Sequence, residues 1–426
     1  MRILICASGT TGDVHPLVGV AAAMNQRGHE VFLLTNPAYA SLAAEAGVNF
    51  EPIGRREDLD ELHRHPQAWS YKHGWKVWIR GAGLAPMREI YQSVEKLHRP
   101  GETMVAASYL CFGARIAREK LDIPTATLHL NVHTIRSHYG IYAYPPPAIF
   151  PERMPPWYVF SDDKPLWCRK AAIWLADRLC VDPVMSGEIG RFRRELGLPP
   201  LIGFVRDWWN SPDLAVGLFP DWWAGDHPDW PKQMVTTGFP FWDRSETKEL
   251  SDGLRQFLDE AGRVIVYSPG ASSGHTESHF TTFARSCEAV GRHGLIVTPR
   301  PPTDPQAISR SVRFERYVPF SKLLPAADAV VHHAGIGTTA QCLAAGVPQV
   351  VVPTLYNQPD TAIRLERLGV AVKIPAHRFH EQTLTPALRK VLDSAQIKST
   401  CQTLSARLTD DTLSRVCGAL ENCKLS

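Results

Sequence analysis

The sequence predicts an α/β protein made of two doubly wound, Rossmann-like domains facing a cleft. Three observations predict it. The chain has 426 residues, more than a single hydrophobic core usually serves. Short β-branched runs alternate with helical stretches in two separate series. In each series a glycine-bearing loop joins a strand to a helix, "SGTTGDVHP" at 8–16 and "HHAGIGTT" at 332–339.

The first series opens with the strand "RILICA", then the helical pattern "PLVGVAAAMNQRG". The strand "HEVFLLT", the helix "AYASLAAEAG" and the strand "VNFEPI" follow. Gly28 ends the first helix and His29 starts the next strand. The second series runs "RVIVYSPG", "TESHFTTFARSCEAVGRHG", "GLIVTPR", "FERYVPF", "DAVVHH", "TTAQCLAAG" and "QVVVP". Repeated strand–helix–strand units require parallel sheets with right-handed crossovers. Between the series, residues 133–245 are rich in Pro and aromatics, as in "YAYPPPAIF" and "PDWWAGDHPDWPKQ". Periodicity breaks near "PDWPKQMVTTGFP". The expected domains are therefore 1–228 and 229–408, with an amphipathic stretch at 409–426 able to pack back on the first.

Composition narrows the function. A net charge of +3, from 46 basic and 43 acidic residues, gives no electrostatic reason for a nucleic acid partner. Nine cysteines with no C-x-x-C pair fit a reducing compartment and argue against structural zinc. "MRILICAS" is too short for a signal-peptide core, and no apolar run is long enough to span a bilayer. A cytoplasmic address is the expectation.

The loop at 332–358 carries the sharpest chemistry. In an open parallel sheet, ligands bind beyond the carboxyl ends of the strands, where His332 and His333 fall. Gly335 and Gly337 let backbone approach a bulky ligand, and Thr338 is placed to cap the helix. Exposed N–H groups at that helix start, with the dipole, stabilise a diphosphate without a metal. Gln341 lies one turn after Thr338, near where a ribose would follow the phosphates. Asn357 and Gln358 stand on the next strand-end loop, where amides can hold sugar hydroxyls. Taken alone, a glycine loop is equally well explained as an αβ turn whose glycines solve packing.

In "SGTTGDVHP" the glycines Gly9 and Gly12 bend the loop, but the spacing is not G-x-G-x-x-G, so dinucleotide binding is poorly supported. Asp13 is either a helix N-cap or a general base for an attacking hydroxyl. Thr11 and Gly12 beside it are candidates to line an acceptor, and His15 is the nearest imidazole. "DLD" at 58–60 sits in the charged run "RREDLDELHRH", better read as a solvated face than as a metal site.

The run from His332 to Pro353, with "YNQ" beyond it, resembles the donor signature of family 1 glycosyltransferases, two-domain GT-B enzymes that use nucleotide-activated sugars. The resemblance implies that His333 and Thr338 hold the diphosphate, and Asn357 and Gln358 the sugar. In the shorter matches "SPGASS" and "RYVPF" it implies Ser272 on phosphate and Tyr317 and Val318 flanking the base. Gln341 stands where many UDP-sugar enzymes carry Glu, and Asn357 where Asp is usual. Both changes lean toward a dTDP-deoxysugar, dTDP-rhamnose first, with UDP-glucose the other choice. "G-D-V-x-P" resembles sterol, glycopeptide and rhamnolipid glycosyltransferases in which Asp replaces the more frequent catalytic His. That implies Asp13 as base of an inverting, metal-independent transfer with no cofactor beyond the co-substrate.

Trp69, Trp75, Trp78, Trp157, Tyr158, Trp208 and Trp209 would give the first domain a large aromatic surface suited to a lipophilic hydroxyl acceptor, with Trp75 and Trp157 lining it. A hydroxyacyl lipid is the expected acceptor, an aromatic polyketide or sterol-like compound the alternative, and either leaves room for peripheral membrane contact. A sugar-nucleotide 2-epimerase and a non-catalytic sugar-nucleotide binding subunit share the architecture and stay open. A nicotinamide oxidoreductase is disfavoured by the missing fingerprint.

Overall fold

A computed structural model describes the chain except residues 71–72, 140–164, 202, 246–247, 271–276, 303, 305–307, 410 and 425–426, and the side chains of 206 and 207. It divides into two compact units, Met1–Pro240 with Asp410–Ser426, and Phe241–Thr409.

The first unit holds seven strands among the described residues. They are β1 (Arg2–Cys6), β2 (Glu30–Thr35), β3 (Asn49–Pro52), β4 (Thr103–Ser108), β5 (Thr125–His129), β6 (Leu214–Gly217) and β7 (Met234–Thr236). Their order is β3-β2-β1-β4-β5-β6-β7, and all neighbours run parallel. Every residue of β1, β4 and β5 is buried, as expected when helices cover both faces of a parallel sheet.

The second unit has six strands: β8 (Val264–Ser268), β9 (His293–Val297), β10 (Val312–Glu315), β11 (Ala327–His332), β12 (Gln349–Val351) and β13 (Ala371–Lys373). Their order, β10-β9-β8-β11-β12-β13, repeats the first sheet's pattern without its seventh strand. In each sheet the order reverses once, between β1 and β4 and between β8 and β11. Crevices at such reversals are where open α/β sheets bind ligands.

The expected division into 1–228 and 229–408 needs correction. Residues Met234–Thr236 pair with β6 in the first sheet, so the first unit runs to Pro240. The Pro- and Trp-rich composition hid both short strands, β6 and β7. The last helix, Thr412–Glu421, lies against the first helix of the first unit, Thr11–Gln26. Arg27 and His29 both pair with Glu421, and the Arg415 guanidinium donates to the Thr236 carbonyl. No helix among the described residues is long and apolar enough to cross a membrane.

Candidate functional site

In the second unit His332, His333 and Gly335 stand at the β8/β11 reversal. His332 closes β11, fully buried. Its Nδ1 accepts from the Ala334 N–H at 3.2 Å and its Nε2–H donates to Gln349 Oε1 at 2.9 Å, which fixes the tautomer. Burial, with the neighbouring His333, holds this ring neutral and drives its pKa down to about 3. The bond also holds Ala334 at φ 63°, a left-handed conformation rare for a residue with a side chain.

That turn presents His333, whose Nδ1 lies 3.4 Å from the Ser268 carbonyl at the end of β8. The imidazole therefore bridges the two strands of the reversal and leaves Nε2 for a ligand. Two glycines clasp it. A Cβ on Gly270 would fall 2.7 Å from His333 Cε1, and one on Gly335 would fall 2.4 Å from Nε2. Burial lowers the pKa of His333, and the Ser268 carbonyl opposes the shift.

The helix after it is Ile336–Ala344, with Gly335 in extended backbone as its N-cap. Thr338 is therefore not the cap. The expectation put the cap three residues late, because Ile-Gly reads as loop in sequence while an extended Gly before it serves as cap. Gly337 instead sits in the first turn, with no atom within 4 Å of where its Cβ would be. Its missing side chain leaves the N–H groups at the helix start uncovered. Thr338 and Gln341 follow on the helix, both half-exposed.

Asn357 stands at the N-cap position of the helix Gln358–Arg367, so Gln358 opens a helix rather than standing in a loop. Gln358 Oε1 accepts from Thr354 N at 2.8 Å, Thr354 Oγ1 at 2.7 Å and Leu355 N at 3.0 Å. The oxygen is committed to closing the turn, and the amide NH2 is the end available to a hydroxyl. Val318 is buried in the core with Leu254, Leu258 and Leu323, so only its backbone can meet a base. The Tyr317 hydroxyl donates to the Asp243 carbonyl at 2.5 Å, with Arg244 over its ring at 5.3 Å. Ser272 lies outside the described residues.

The first unit brings together a different chemistry at the β1/β4 reversal. Asp13 is the third residue of the helix Thr11–Gln26, whose N-cap is Thr10. Thr10 N and Thr10 Oγ1 both donate to Asp13 Oδ2, at 2.8 and 2.9 Å. Asp13 is thus not the N-cap but its reciprocal partner, with Oδ1 left to take a proton. Gly9, at φ 125°, makes room for the carboxylate, since a Cβ there would stand 2.5 Å from Oδ2. Burial pushes the Asp13 carboxyl above its ordinary range, and the two Thr10 bonds hold part of that shift back. Thr11 and Gly12 are exposed on the same turn.

Three residues not singled out in the sequence surround this carboxylate's region. The Tyr39 hydroxyl donates to the Gly9 carbonyl at 3.3 Å. Tyr109 follows β4, and His129 ends β5. Burial and then the Asp13 charge push both phenols upward. Tyr109 stacks on His129 (centroids 6.0 Å apart, planes 11°) and on Trp209 (5.7 Å, 18°). His129 is pinned by Thr134 Oγ1 at 2.8 Å and Asn210 Oδ1 at 2.6 Å, and burial pulls its pKa to about 4. Trp209 and Asn210 follow a wide helical turn, Phe204–Trp208, anchored where the Trp208 indole and the Arg193 guanidinium both donate to Glu119. The strand-end rule applied to "TMVAASY" and "TATLH" would have found Tyr109 and His129.

Most remaining aromatics are packing residues. Trp78 is buried against Trp69 and His63, and Trp208 is fully buried. Trp75 is half-buried beneath the Lys76 ammonium, 5.5 Å from its ring. Trp157 and Tyr158 lie outside the described residues. Asp58 of the "DLD" run caps its own helix, accepting from Arg55 N at 2.7 Å and pairing with the Arg55 guanidinium at 2.6 Å.

Comparison with known proteins extends this geometry. Residues 3–139 match the Glycosyltransferase family 28 N-terminal domain. Residues 293–421 match the Erythromycin biosynthesis protein CIII-like C-terminal domain. The chain is 26% identical over 411 residues to O-mycaminosyltylonolide 6-deoxyallosyltransferase of Streptomyces fradiae, covering 91% of this chain and 89% of that protein. Among solved structures it is similar to the glycotransferase of kitacinnamycin, with TM-score 0.74, 18% identity, and coverage of 99% of this chain and 98% of that one. It is also similar to the glycosyltransferase VinC in complex with DTDP, with TM-score 0.68, 17% identity, and coverage of 99% and 100%.

Proposed function

The chain is a nucleotide-sugar-dependent glycosyltransferase of the GT-B fold, and on that premise we propose that it moves a deoxyhexose, rhamnose first, from a dTDP-sugar to a hydroxyl of a lipophilic acceptor, inverting the anomeric centre and using no metal. The observation that carries the donor half is the neutral Gln341, half-exposed one turn beyond the uncovered helix start at Gly337. A carboxylate there would suit two ribose hydroxyls, and an amide suits a deoxyribose. A relative named as a 6-deoxyallosyltransferase and a similar structure holding DTDP support the same donor class. UDP-glucose is the competing donor.

The chemistry follows from the two sets of residues. Asp13 Oδ1 takes the proton of the acceptor hydroxyl as its oxygen attacks the anomeric carbon from the face opposite the diphosphate. The C–O bond to the leaving phosphate breaks, and dTDP is received by the helix N–H groups after Gly335, by Thr338 and by His333, whose Nε2 donates once the charge of the diphosphate has protonated the ring. Asn357 and the Gln358 amide hold the sugar. Desolvation makes the Asp13 carboxylate a stronger base than one in water, and Thr10 fixes its orientation.

For the acceptor, a hydroxyacyl lipid is the first reading. The Tyr109, His129 and Trp209 stack specifically favours the second, a planar aromatic polyketide lying against the rings. Thermal shift with dTDP and UDP tests the donor, since a ligand at a hundred times its Kd stabilises by about 2.7 kcal/mol. A larger shift with UDP overturns the dTDP assignment. Incubation with dTDP-rhamnose and each acceptor class then tests the transfer, and a new sugar nucleotide formed from donor alone would identify an epimerase.

A further inference from the structure

Seven large hydrophobic side chains are exposed among the described residues, and four of them share one short segment. They are Trp167 (72% exposed), Trp174 (61%), Leu175 (50%) and Leu179 (64%). The segment is the helix Leu166–Ala176 and the wider turn Asp177–Val181 that continues it. Residues spaced by four align along a helix. One outer line is therefore Trp167, Ala171, Leu175 and Leu179, and the adjacent line is Lys170, Trp174 and Arg178, every member exposed. The opposite side is seated on the first unit through buried Arg169 and Ile173, and Arg136 pairs with Asp177. The helix thus turns its apolar ridge outward.

The occupant is indicated by charge and shape. Both ionised side chains on the ridge are cations. Arg178 lies 3.7 Å from Asp182, a mostly buried carboxylate that also accepts from Phe204 N, and Lys170 adds a second positive charge one turn of helix before Trp174. Indoles flanked by Lys and Arg on an exposed helix ridge match the interface of an anionic bilayer. There the rings settle at headgroup depth and the long cationic stems reach phosphate. We propose that this ridge docks the enzyme on an anionic membrane surface, independently of whether its acceptor is a lipid.

Flotation of the full chain with phosphatidylglycerol/phosphatidylcholine vesicles, and with phosphatidylcholine alone, tests it. The expected result is binding to the anionic vesicles that weakens with salt. Lys170→Gln with Arg178→Gln should reduce that binding by roughly thirtyfold. Trp167→Ser with Trp174→Ser should abolish it while sugar transfer to a water-soluble acceptor continues, which also reports that the variant folds. A wild-type chain that ignores anionic vesicles at low salt overturns the proposal. So does a wild-type dimer that these tryptophan changes dissociate without any effect on vesicles, since that would assign the ridge to a second copy.

Discussion

The two sheets reverse their strand order in the same way, yet the loops at the two reversals carry opposite chemistry. At β8/β11 the chain removes side chains: Gly270 and Gly335 make room for a neutral imidazole, Gly337 leaves the helix start uncovered, and residues 332–341 include no carboxylate. At β1/β4 it uses a glycine to admit a carboxylate, with Gly9 folded around Asp13 and Thr10 holding one of its oxygens. One site is suited to receive negative charge, the other to accept a proton. The same topology supplies both because a strand end followed by a helix start offers N–H groups in each case. What differs is whether the protein's own carboxylate already occupies them.

The largest expected effect breaks the proton-accepting side alone. Asp13→Asn keeps an acceptor for Thr10 and should lower turnover by roughly 10²–10⁴ while dTDP still binds. Full activity in that variant would remove Asp13 from the chemistry. Next, Gly335→Ala breaks the other side. Its methyl meets His333 Nε2, so dTDP affinity measured by calorimetry should fall roughly ten- to a hundredfold. Gly337→Ala sharpens the contrast, because its methyl meets nothing in the fold. It should raise stability by a few tenths to about 1 kcal/mol and still weaken dTDP, and an unchanged dTDP affinity would place the diphosphate elsewhere.

A pH series separates the sites further. His129 and His332 stay neutral in the fold down to about 4 and about 3, whereas an unfolded chain protonates them near pH ~6.5. Below that pH the unfolded state binds more protons, so the stability each neutral ring confers is complete above it and is lost as pH falls toward the folded values. For His129 the loss approaches roughly 3 kcal/mol. An unfolding midpoint that stays flat from neutral pH to pH ~4.5 would contradict their burial. Asp13 moves the other way. Its raised pKa means that ionisation costs the fold stability as pH rises through that value, so Asp13→Asn should unfold slightly later than wild type at neutral pH.

Much of this was legible in sequence for local reasons. The strands β1, β2, β8 and β11 are continuous apolar runs, and the glycines beside His333 and Asp13 mark their loops. The short strands β6 and β7 were not legible, since Pro and Trp around them mimic an irregular linker. Tyr109 and His129 became visible only with the strand order. Tyr109 comes near Asp13 because β4 lies beside β1, and His129 stacks on Tyr109 because β5 lies beside β4. No run of residues states its neighbours. The clasp of Gly9 on Asp13 depends on a φ of 125°, which composition does not reveal.

The pairing of Arg27 with Glu421 spans 394 positions, so the first unit encloses the whole of the second within its own covalent course. A ribosome adding roughly 5–20 residues per second delivers the final helix some ~20–80 s after the helix it rests on. During that interval the opening helix waits with the ground for its partner bare, while the second unit emerges entire and free to fold. Synthesis therefore finishes the later-encoded body before the earlier one.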